Sequence, residues 1–599
     1  MHEIYGVDEI LFFYGIKNGL KGYRAMFIEI GEFLNLRLKQ MGIQHLFGVP
    51  GDFNLSYLEQ VEADAQLKFI GNCNELNAAY AADGYARING FAALATTYGV
   101  GDLSAINGIA GAYAENVPMV HISGIPPLHV VQKGILVHHT LVDGNYDNIM
   151  NCMKEFTVAQ TRLTPANAAF EIDRVLRQCF LERRPVHIQL ASDITHVKIE
   201  VDERPLDLSY PSVEPDLLSS VVDQLCGILA KAKSPALLID NEAAVFGVTS
   251  LLHDLSNKCS IPFAGMNTAK NIMDEGSPRY IGTYVGGASQ PHVKNVIEQS
   301  DCLIGVGVRF TDVGSAVFTH QIATENYIEI KPYGLNIFGQ DVPGIEIGQL
   351  LVELNKKVAP RKTPHHIVTQ SPTQKRPEVN EQQKLSQELL WNAIAGFFKD
   401  DDVIIGEVGT SNSALSGLKL PATAKYISQP LWGSIGYTLP ALLGSLLAAP
   451  ERRQILFIGD GSFQLTVQEL STIIRHGLKP IIFLLNNGGY TIERLIMGEN
   501  AAYNDIQNWN YAQIPAVFNG SKAYQSHVVE TIGQLQQVLD NVQQQDGLTF
   551  VELKLPAMDA PLSLKKFANV IARFDYGDRG YEILTQRSNT LECKNVSSF

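Results

Sequence analysis

Two short motifs carry oxygen-bearing side chains of the kind that bind a hard metal ion. The triplet 459–461 reads Gly-Asp-Gly, and further along the chain Asn487 stands in an Asn-Asn-Gly-Gly segment. Mg²⁺ prefers oxygen ligands in an octahedron, with one or two from the protein and the others from phosphate and water. Asp460, the amide oxygen of Asn487 and the carbonyl of Gly489 are therefore candidate magnesium ligands. The N–H groups after the triplet, with the Ser462 hydroxyl, could hold phosphate oxygens.

Two apolar runs must position these groups. Residues 454–458 and 481–485 are mostly apolar and partly β-branched, which is typical of parallel strands buried on both faces. The apolar residues of 462–475 recur at helical spacing. In such a βαβ unit both strands end at the same edge of the sheet, so Asp460 and Asn487 are expected to lie together. Each motif alone is more often a solvated turn, but their order makes that interpretation the weaker one.

This segment resembles the diphosphate-binding motif of thiamine diphosphate enzymes. Its continuation at 489–493, Gly-Tyr-Thr-Ile-Glu, is similar to the 2-oxo acid decarboxylases that act on pyruvate, indolepyruvate and branched-chain oxo acids. Further matching motifs occur in the family order at 49–55, 74–87, 138–140 and 429–437. The resemblance covers about Met26 to Lys566. It implies an α/β fold of three open, mostly parallel-sheet domains, the thiamine diphosphate-binding fold.

The resemblance also implies roles for individual residues. Glu75 is expected to bind the pyrimidine ring of the cofactor and to take part in catalysis. The acid cluster that transfers protons during the reaction is expected to comprise Asp52, His138, His139 and Glu493, with Glu493 buried beside the substrate carboxylate. The cofactor, thiamine diphosphate with Mg²⁺, is expected to contact Glu75, Thr410, Gly433, Ile435, Asp460, Gly461, Ser462, Asn487, Gly489 and Ile492.

Several of these residues have an ordinary structural interpretation as well. Glu75 alone would be a glutamate favoured by a helix dipole, and Ile435 alone would be a core residue. Adjacent residues on a strand face opposite ways, so His138 and His139 can serve one site only in an irregular segment. The glycine and polar residues around them favour a loop. The match to the family motifs outweighs these alternatives.

Composition restricts the kind of protein. The 599 residues carry a net charge of −15, which argues against nucleic acid or an anionic membrane as partner. The apolar stretch 439–449 is too short to span a bilayer, and the seven cysteines lack a C-x-x-C pair, so a zinc site or a disulfide framework is not expected. These features predict a cytoplasmic protein.

The length predicts several domains. We divide the chain into an amino-terminal extension (1–25), a pyrimidine-binding domain (26–195), a central domain (216–358), a linker (359–384), a diphosphate-binding domain (385–557) and a carboxyl-terminal helix and tail (558–599). Glu75 and Asp460 fall in different domains. The family joins such domains across a subunit interface, which implies a homodimer at least and a homotetramer in many relatives.

The substrate stays open at this point. Val408, Asn412 and Ser413 differ from the residues that often shape the family's substrate pocket, while segments 429–437 and 503–506 resemble the indolepyruvate and branched-chain members most. Two other functions remain alternatives: a carboligase of the acetolactate synthase type, and a non-catalytic regulatory homologue. The presence of all the acid-cluster residues favours release of an aldehyde.

Overall fold

The fold was analysed in a computed structural model that describes residues 25–361, 380–519, 523–542 and 547–582. Almost all of the predicted amino-terminal extension, most of the predicted linker and the end of the predicted tail lie outside these residues. No helix of the described residues is long and apolar enough to cross a membrane.

The amino-terminal domain is built on a six-stranded parallel sheet of order β3-β2-β4-β5-β7-β6, and β1 and β8 form a separate antiparallel pair. The strands are β1 (Ala25–Glu29), β2 (His45–Gly48), β3 (Lys68–Gly71), β4 (Ala92–Thr97), β5 (Met119–Ile125), β6 (Gln160–Arg162), β7 (Val186–Ala191) and β8 (Lys198–Asp202). The helices are α1 (Ile30–Gln40), α2 (Leu55–Glu62), α3 (Glu75–Asn89), α4 (Val100–Ala114), α5 (Leu128–Lys133), α6 (Asn148–Lys154) and α7 (Ala168–Glu182). Helices cover both faces, so β4 and β5 are buried along their whole length.

The central domain has a seven-stranded sheet of order β11-β10-β9-β12-β13-β14-β15, in which only the last two strands pair antiparallel. The strands are β9 (Pro235–Ile239), β10 (Phe263–Met266), β11 (Tyr280–Tyr284), β12 (Cys302–Val306), β13 (Tyr327–Lys331), β14 (Gly334–Ile337) and β15 (Gln340–Pro343). The helices are α8 (Pro215–Lys231), α9 (Glu242–Val245), α10 (Thr249–Cys259), α11 (Pro291–Glu298) and α12 (Ile347–Lys357).

The carboxyl-terminal domain again has a six-stranded parallel sheet, of order β17-β16-β18-β19-β21-β20. The strands are β16 (Val403–Gly406), β17 (Lys425–Ile427), β18 (Gln454–Gly459), β19 (Ile481–Asn486), β20 (Tyr524–Val529) and β21 (Leu548–Lys554). The helices are α13 (Gln387–Ile394), α14 (Thr410–Leu415), α15 (Thr438–Ala448), α16 (Asp460–Thr466), α17 (Glu469–Arg475), α18 (Thr491–Ile496), α19 (Ile514–Phe518), α20 (Ile532–Val542) and α21 (Leu562–Tyr576).

The first and third sheets share one topology. In each, the second strand of the sheet along the chain lies at the edge, and the first, third, fourth, sixth and fifth strands follow. The strand order therefore reverses between β2 and β4 in one domain and between β16 and β18 in the other. The three mostly parallel sheets with helices confirm the predicted α/β class.

One helix predicted from the sequence is in fact two. Residues 462–475 were expected to form a single helix beginning after Gly461, whereas α16 begins at Asp460 and ends at Thr466, before α17 starts at Glu469. Contacts from distant segments account for the break. The Thr466 hydroxyl donates to the carbonyl of Gly436, and the buried carboxylate of Glu469 accepts from Asn72 and Asn77 of the amino-terminal domain.

The first and third domains also meet through a close crossing of α3 and α15. A Cβ atom added at Gly84 would lie 2.2 Å from the carbonyl oxygen of Ala441, and one added at Gly444 would lie 1.8 Å from that of Ala81. Such distances are far below van der Waals contact, so only glycine permits the two backbones to approach this closely.

Candidate active site

The candidate diphosphate and metal residues of the third domain follow the carboxyl ends of β16, β18 and β19, and the strand order reverses between the first two of these strands. In open α/β sheets this position forms a crevice in which ligands bind. The chain leaving β16 passes through Gly409, with φ of 99°, into Thr410 at the start of α14. The chain leaving β18 enters α16 at Asp460. The topology thus brings together the residues that the sequence predicts to hold the diphosphate.

Asp460 is held by backbone N–H groups from the end of the neighbouring strand. Its Oδ2 atom accepts from Gly488 at 2.7 Å and from Gly489 at 3.2 Å, and its Oδ1 atom accepts from Gly461 at 2.8 Å. The residue is only 1% exposed, and burial raises its pKa to about 6. Within the described part of the chain no cationic side chain pairs with this carboxylate. A bound cation would offset the cost of burying it.

The oxygen atoms near Asp460 converge in a way that suits a metal ion. The side-chain amide of Asn487 is oriented with its oxygen 2.9 Å from the Gly489 carbonyl oxygen and 3.2 Å from Asp460 Oδ1. Three acceptors in contact repel one another, so the amide nitrogen must turn into this position or a cation must bind there. Because a carboxylate, an amide oxygen and a carbonyl form a hard donor set, these residues fit Mg²⁺.

Hydroxyl groups without protein partners lie beside this crevice. Thr410 and Ser462 are largely buried, and among residues 25–361, 380–519, 523–542 and 547–582 neither hydroxyl makes a hydrogen bond. Because no described residue bonds to these two hydroxyls, they are available for a ligand such as a diphosphate. Gly461 contributes by its small size, since a Cβ there would lie 2.5 Å from the ring of Tyr490.

The first domain brings Asp52, His138 and His139 together at its own strand-order reversal, which lies between β2 and β4. Nε2 of His138 lies 2.8 Å from Asp52 Oδ2, and Nε2 of His139 lies 3.7 Å from Asp52 Oδ1. The two histidines lie in a turn where His139 has φ of 61°, so their rings need not point to opposite sides. The ring of Phe53 stacks on His138 at 5.0 Å.

Glu75 begins α3 close to this cluster. Its Oε1 atom would lie 3.1 Å from a Cβ added at Gly101, so the glycine leaves room for the carboxylate over the start of α4. The Asn74 side chain caps α3 by accepting from Asn77 N at 2.8 Å. In the portion of the chain that the structure describes, the Glu75 carboxylate makes no hydrogen bond and the buried Thr97 hydroxyl has no partner. Both groups are available to a ligand.

The turn that contains Gly433 and Ile435 joins the two halves. Gly433 has φ of 64°, and its carbonyl accepts no hydrogen bond from any described residue. The neighbouring Ser434 hydroxyl lies 2.5 Å from the hydroxyl of Tyr80 on α3 and accepts from Asn107 on α4 at 3.1 Å. The first domain of the same chain therefore anchors this turn.

Comparison with known proteins identifies the family. Residues 28–145, 222–343 and 407–553 match, in turn, the N-terminal TPP binding domain, the central domain and the C-terminal TPP binding domain of thiamine pyrophosphate enzymes. The chain is 39% identical over 560 residues to a pyruvate decarboxylase of Candida glabrata, covering 91% of this chain and 98% of the relative. The chain belongs to the thiamine diphosphate-dependent 2-oxo acid decarboxylase family.

Other relatives support the same assignment. Pyruvate decarboxylase isozyme 3 of Saccharomyces cerevisiae is 39% identical over 557 residues, covering 91% of this chain and 98% of its own. An alpha-keto-acid decarboxylase of Mycolicibacterium paratuberculosis is 38% identical over 538 residues, covering 89% and 94%. The matches confirm the predicted family and thiamine diphosphate as its cofactor, while Mg²⁺ and the individual site residues remain predictions.

Two expectations drawn from the family differ from what a single chain shows. Glu493 is exposed on α18, so one chain does not provide the burial that we expected around it. Asn412 was expected to line the substrate pocket, but its side-chain oxygen accepts from Tyr426 at 2.6 Å and so points toward β17. Ser413 lies 2.8 Å from Ser563 of α21, hydroxyl to hydroxyl. Helix α21 therefore covers this side of the crevice, and it also packs on Ile492 of α18.

Sequence reasoning missed one residue of this decarboxylase fold, Glu407. It follows β16 directly, is 1% exposed and accepts hydrogen bonds from Val408, Gly436 and Thr438. Burial raises its pKa to about 7. A charged residue directly after an apolar strand was the one signal in the sequence that could have identified it.

Proposed function

We propose that this protein catalyses the non-oxidative decarboxylation of a 2-oxo acid to an aldehyde and CO₂, with thiamine diphosphate and Mg²⁺. Membership of the decarboxylase family supports the reaction class. The substrate is a small 2-oxo acid, and pyruvate, indolepyruvate and branched-chain oxo acids are the candidates. The named relatives include both pyruvate and alpha-keto-acid decarboxylases at similar identity, so they do not narrow this set.

The third domain would hold the diphosphate end of the cofactor. Asp460, Asn487 and the Gly489 carbonyl would bind Mg²⁺, and the hydroxyls of Thr410 and Ser462 would donate to phosphate oxygens. When bound, the cofactor supplies the electron sink that allows a carboxylate to leave as CO₂. The role of the protein is to bind and orient the cofactor and to keep water away from it.

The first domain would supply the groups that transfer protons. The carboxylate of Asp52 accepts from one histidine and lies near the other, so it holds the His138 ring in position beside that of His139. Since the two histidines are partly exposed, they can exchange a proton with solvent and would donate it to the reacting group before the aldehyde is released. The carboxyl group of Glu75, which has room over Gly101, would form a hydrogen bond with a ring nitrogen at the pyrimidine end of the cofactor.

Two copies of the chain would complete the site. Among the described residues no hydrogen bond or ion pair joins Glu75 or the Asp52 cluster to Asp460, Asn487 or Glu493. Large apolar side chains around the Asp52 cluster are exposed in the single chain, reaching 71% for Leu141: Leu55, Val100, Leu103, Ile135, Leu136, Leu141 and Val142. Clustered exposed apolar side chains mark protein interfaces. We therefore infer a homodimer or homotetramer in which one copy covers this surface of another.

The observation that carries the proposal is the convergence of Asp52, His138 and His139 in the domain whose Glu75 carboxylate accepts no hydrogen bond from any described residue. The test is CO₂ release by the purified protein, with thiamine diphosphate and Mg²⁺, over a panel of pyruvate, indolepyruvate, phenylpyruvate and branched-chain oxo acids. We expect release of CO₂ and the matching aldehyde from at least one of them. No release from any would contradict the proposal, and acetolactate as the main product from pyruvate alone would favour the carboligase.

A further inference from the structure

Glu407 connects two segments of the candidate site that are distant in sequence. It lies where β16 runs into the Gly409-Thr410 turn, and its carboxylate reaches the turn that contains Gly433 and Ile435. Oε2 accepts from Gly436 N at 3.2 Å, from Thr438 N at 3.3 Å and from the Thr438 hydroxyl at 2.7 Å. Oε1 accepts from Val408 N at 3.2 Å.

The peptide groups of Gly436 are held on both sides. Its N–H donates to Glu407, and its carbonyl accepts from the Thr466 hydroxyl at 2.7 Å. Gly436 has φ of 88°, and a Cβ there would lie 3.0 Å from Cβ of Leu465. On the other side of Ile435, Ser434 is anchored by Tyr80 and Asn107. Ile435 therefore lies between Ser434 and Gly436, which are both held by hydrogen bonds.

These contacts make a proton-transfer role for Glu407 a poor explanation. The side chain is 1% exposed, and all four of its described hydrogen bonds come from donors that stabilise the carboxylate. No hydrogen bond links it to Asp52, His138, His139 or Glu493 within the described residues. A buried acceptor with this many donors fixes the conformation of the backbone around it.

We propose that Glu407 is a positioning residue, which holds the Gly433 carbonyl and the Ile435 side chain in the position where they contact the cofactor. This inference rests on the proposed function and on the expectation, implied by the family resemblance, that Gly433 and Ile435 contact the cofactor. Glu407 itself touches neither substrate nor cofactor in this account. It acts by keeping the turn in a single conformation before the cofactor binds, which lowers the cost of ordering on binding.

Two variants of Glu407 separate the contributions. Glu407→Ala removes all four acceptor contacts. Glu407→Gln can keep its oxygen at the Oε2 position, where three donors meet, and then places its NH₂ group against Val408 N. Thr438→Val removes only the hydroxyl donor. The matched control is Glu346→Ala, since Glu346 is also buried and accepts from two backbone N–H groups, Gly348 and Gln349, but lies in the central domain.

The experiment measures the affinity of the full-length protein for thiamine diphosphate at saturating Mg²⁺ by calorimetry, together with kcat and KM. We expect Glu407→Ala to weaken cofactor affinity by about tenfold to a hundredfold, Glu407→Gln and Thr438→Val to weaken it less, and kcat to fall with little change in KM. The Glu346→Ala control should lower Tm and leave cofactor affinity unchanged.

The inference is overturned if Glu407→Ala lowers Tm while its cofactor affinity and kcat equal those of the wild type. Should that variant fail to fold, wild-type affinity in both Glu407→Gln and Thr438→Val overturns it equally. The affinity measurement needs no substrate. Failure of the wild type to release CO₂ would therefore contradict the proposed function without deciding the role of Glu407.

Discussion

His138 and Asp52 are joined by a hydrogen bond of 2.8 Å between Nε2 and Oδ2, although the two residues belong to separate loops. Since a carboxylate oxygen can only accept, Nε2 is the ring nitrogen that carries a proton in this contact. Both side chains keep about half of their surface in solvent, at 61% and 47%. The pair is therefore arranged for proton exchange more than for stability.

Asp52→Asn should lower kcat by about a hundredfold to ten-thousandfold, because the imidazolium loses its counter-charge. The free energy of unfolding should change by less than about 0.5 kcal/mol, because the pair is exposed. Steady-state kinetics and thermal unfolding measure the two effects. His129→Gln is the control, as His129 also faces a partly exposed aspartate, Asp193, at 3.6 Å. Equal losses of activity in both variants would speak against the assignment.

A mixture of Glu75→Gln and Asp460→Asn chains should regain activity if sites are shared between copies. A mixed dimer then has one site with both defects and one intact site, so random pairing restores about a quarter of wild-type activity. Co-expression followed by a decarboxylation assay measures it. Glu75→Gln mixed with His138→Gln should regain none, because both changes are in the same domain. Absence of recovery in the first mixture would place both carboxylates of a site in one chain.

Asp460→Asn should raise the Mg²⁺ concentration needed for half-maximal activity by about tenfold or more, since the only charged ligand of the proposed set is lost. Titrating Mg²⁺ into protein stripped with a chelator measures this. Asp274→Asn is the control, as Asp274 also accepts from a backbone N–H, that of Gly276, at 2.7 Å, but lies in the central domain. Unchanged Mg²⁺ dependence in Asp460→Asn would exclude Asp460 as a ligand.

Gly444→Ala should destabilise the protein by about 1–3 kcal/mol, because its Cβ would overlap the carbonyl oxygen of Ala81. Gly227→Ala provides the comparison. Among the described residues no atom lies within 4 Å of the Cβ position of that helical glycine, so alanine there should stabilise the protein by about 0.5–1 kcal/mol. Denaturant unfolding distinguishes the two. A stabilised Gly444→Ala variant would show that α3 and α15 do not cross as closely as described.

Glu407 predicts a pH dependence of stability. Burial raises its pKa from the ordinary 4.5 to about 7, so between these values the folded protein binds more protons than the unfolded one. Its contribution to stability is therefore complete below about pH 4.5 and is lost as pH rises through about 7. Tyr80 faces the same region, and burial raises its pKa to about 12, so it stays neutral throughout.

The measurement is the unfolding free energy of the protein without cofactor at pH 5 and pH 8, compared with that of Glu407→Gln. The wild type should lose stability relative to the variant by up to about 3 kcal/mol over this interval. A difference that stays constant with pH would show that Glu407 does not titrate there.

Local patterns predicted the parts of the fold whose cause is local. Strands β18 (Gln454–Gly459) and β19 (Ile481–Asn486) begin where the apolar runs 454–458 and 481–485 begin and end one residue later, because continuous apolar segments of that length are buried as strands of a parallel sheet. The break between α16 and α17 could not be predicted, because its causes are Gly436, Asn72 and Asn77 from other parts of the chain. Propensity alone does not encode such contacts.

The same distinction applies to the candidate site. Asp460 and Asn487 each follow a strand, so their neighbourhood could be inferred from order along the chain. Glu407 lies in no recognisable motif, because its hydrogen-bond partners belong to a turn near Gly433 that is distant in the sequence. The surroundings of Glu493 could not be predicted from the sequence either, because its side chain is exposed among the described residues of a single chain.

The crossing of α3 and α15 limits how the molecule can open to admit substrate. Carbonyl oxygens of each helix occupy the space that side chains would need on the other. The first and third domains of one chain therefore have no room to slide or rotate against each other. Substrate must then enter through movement of surface segments such as the loop that bears His138 and, in the homodimer or homotetramer that we propose, through displacement of one copy against another.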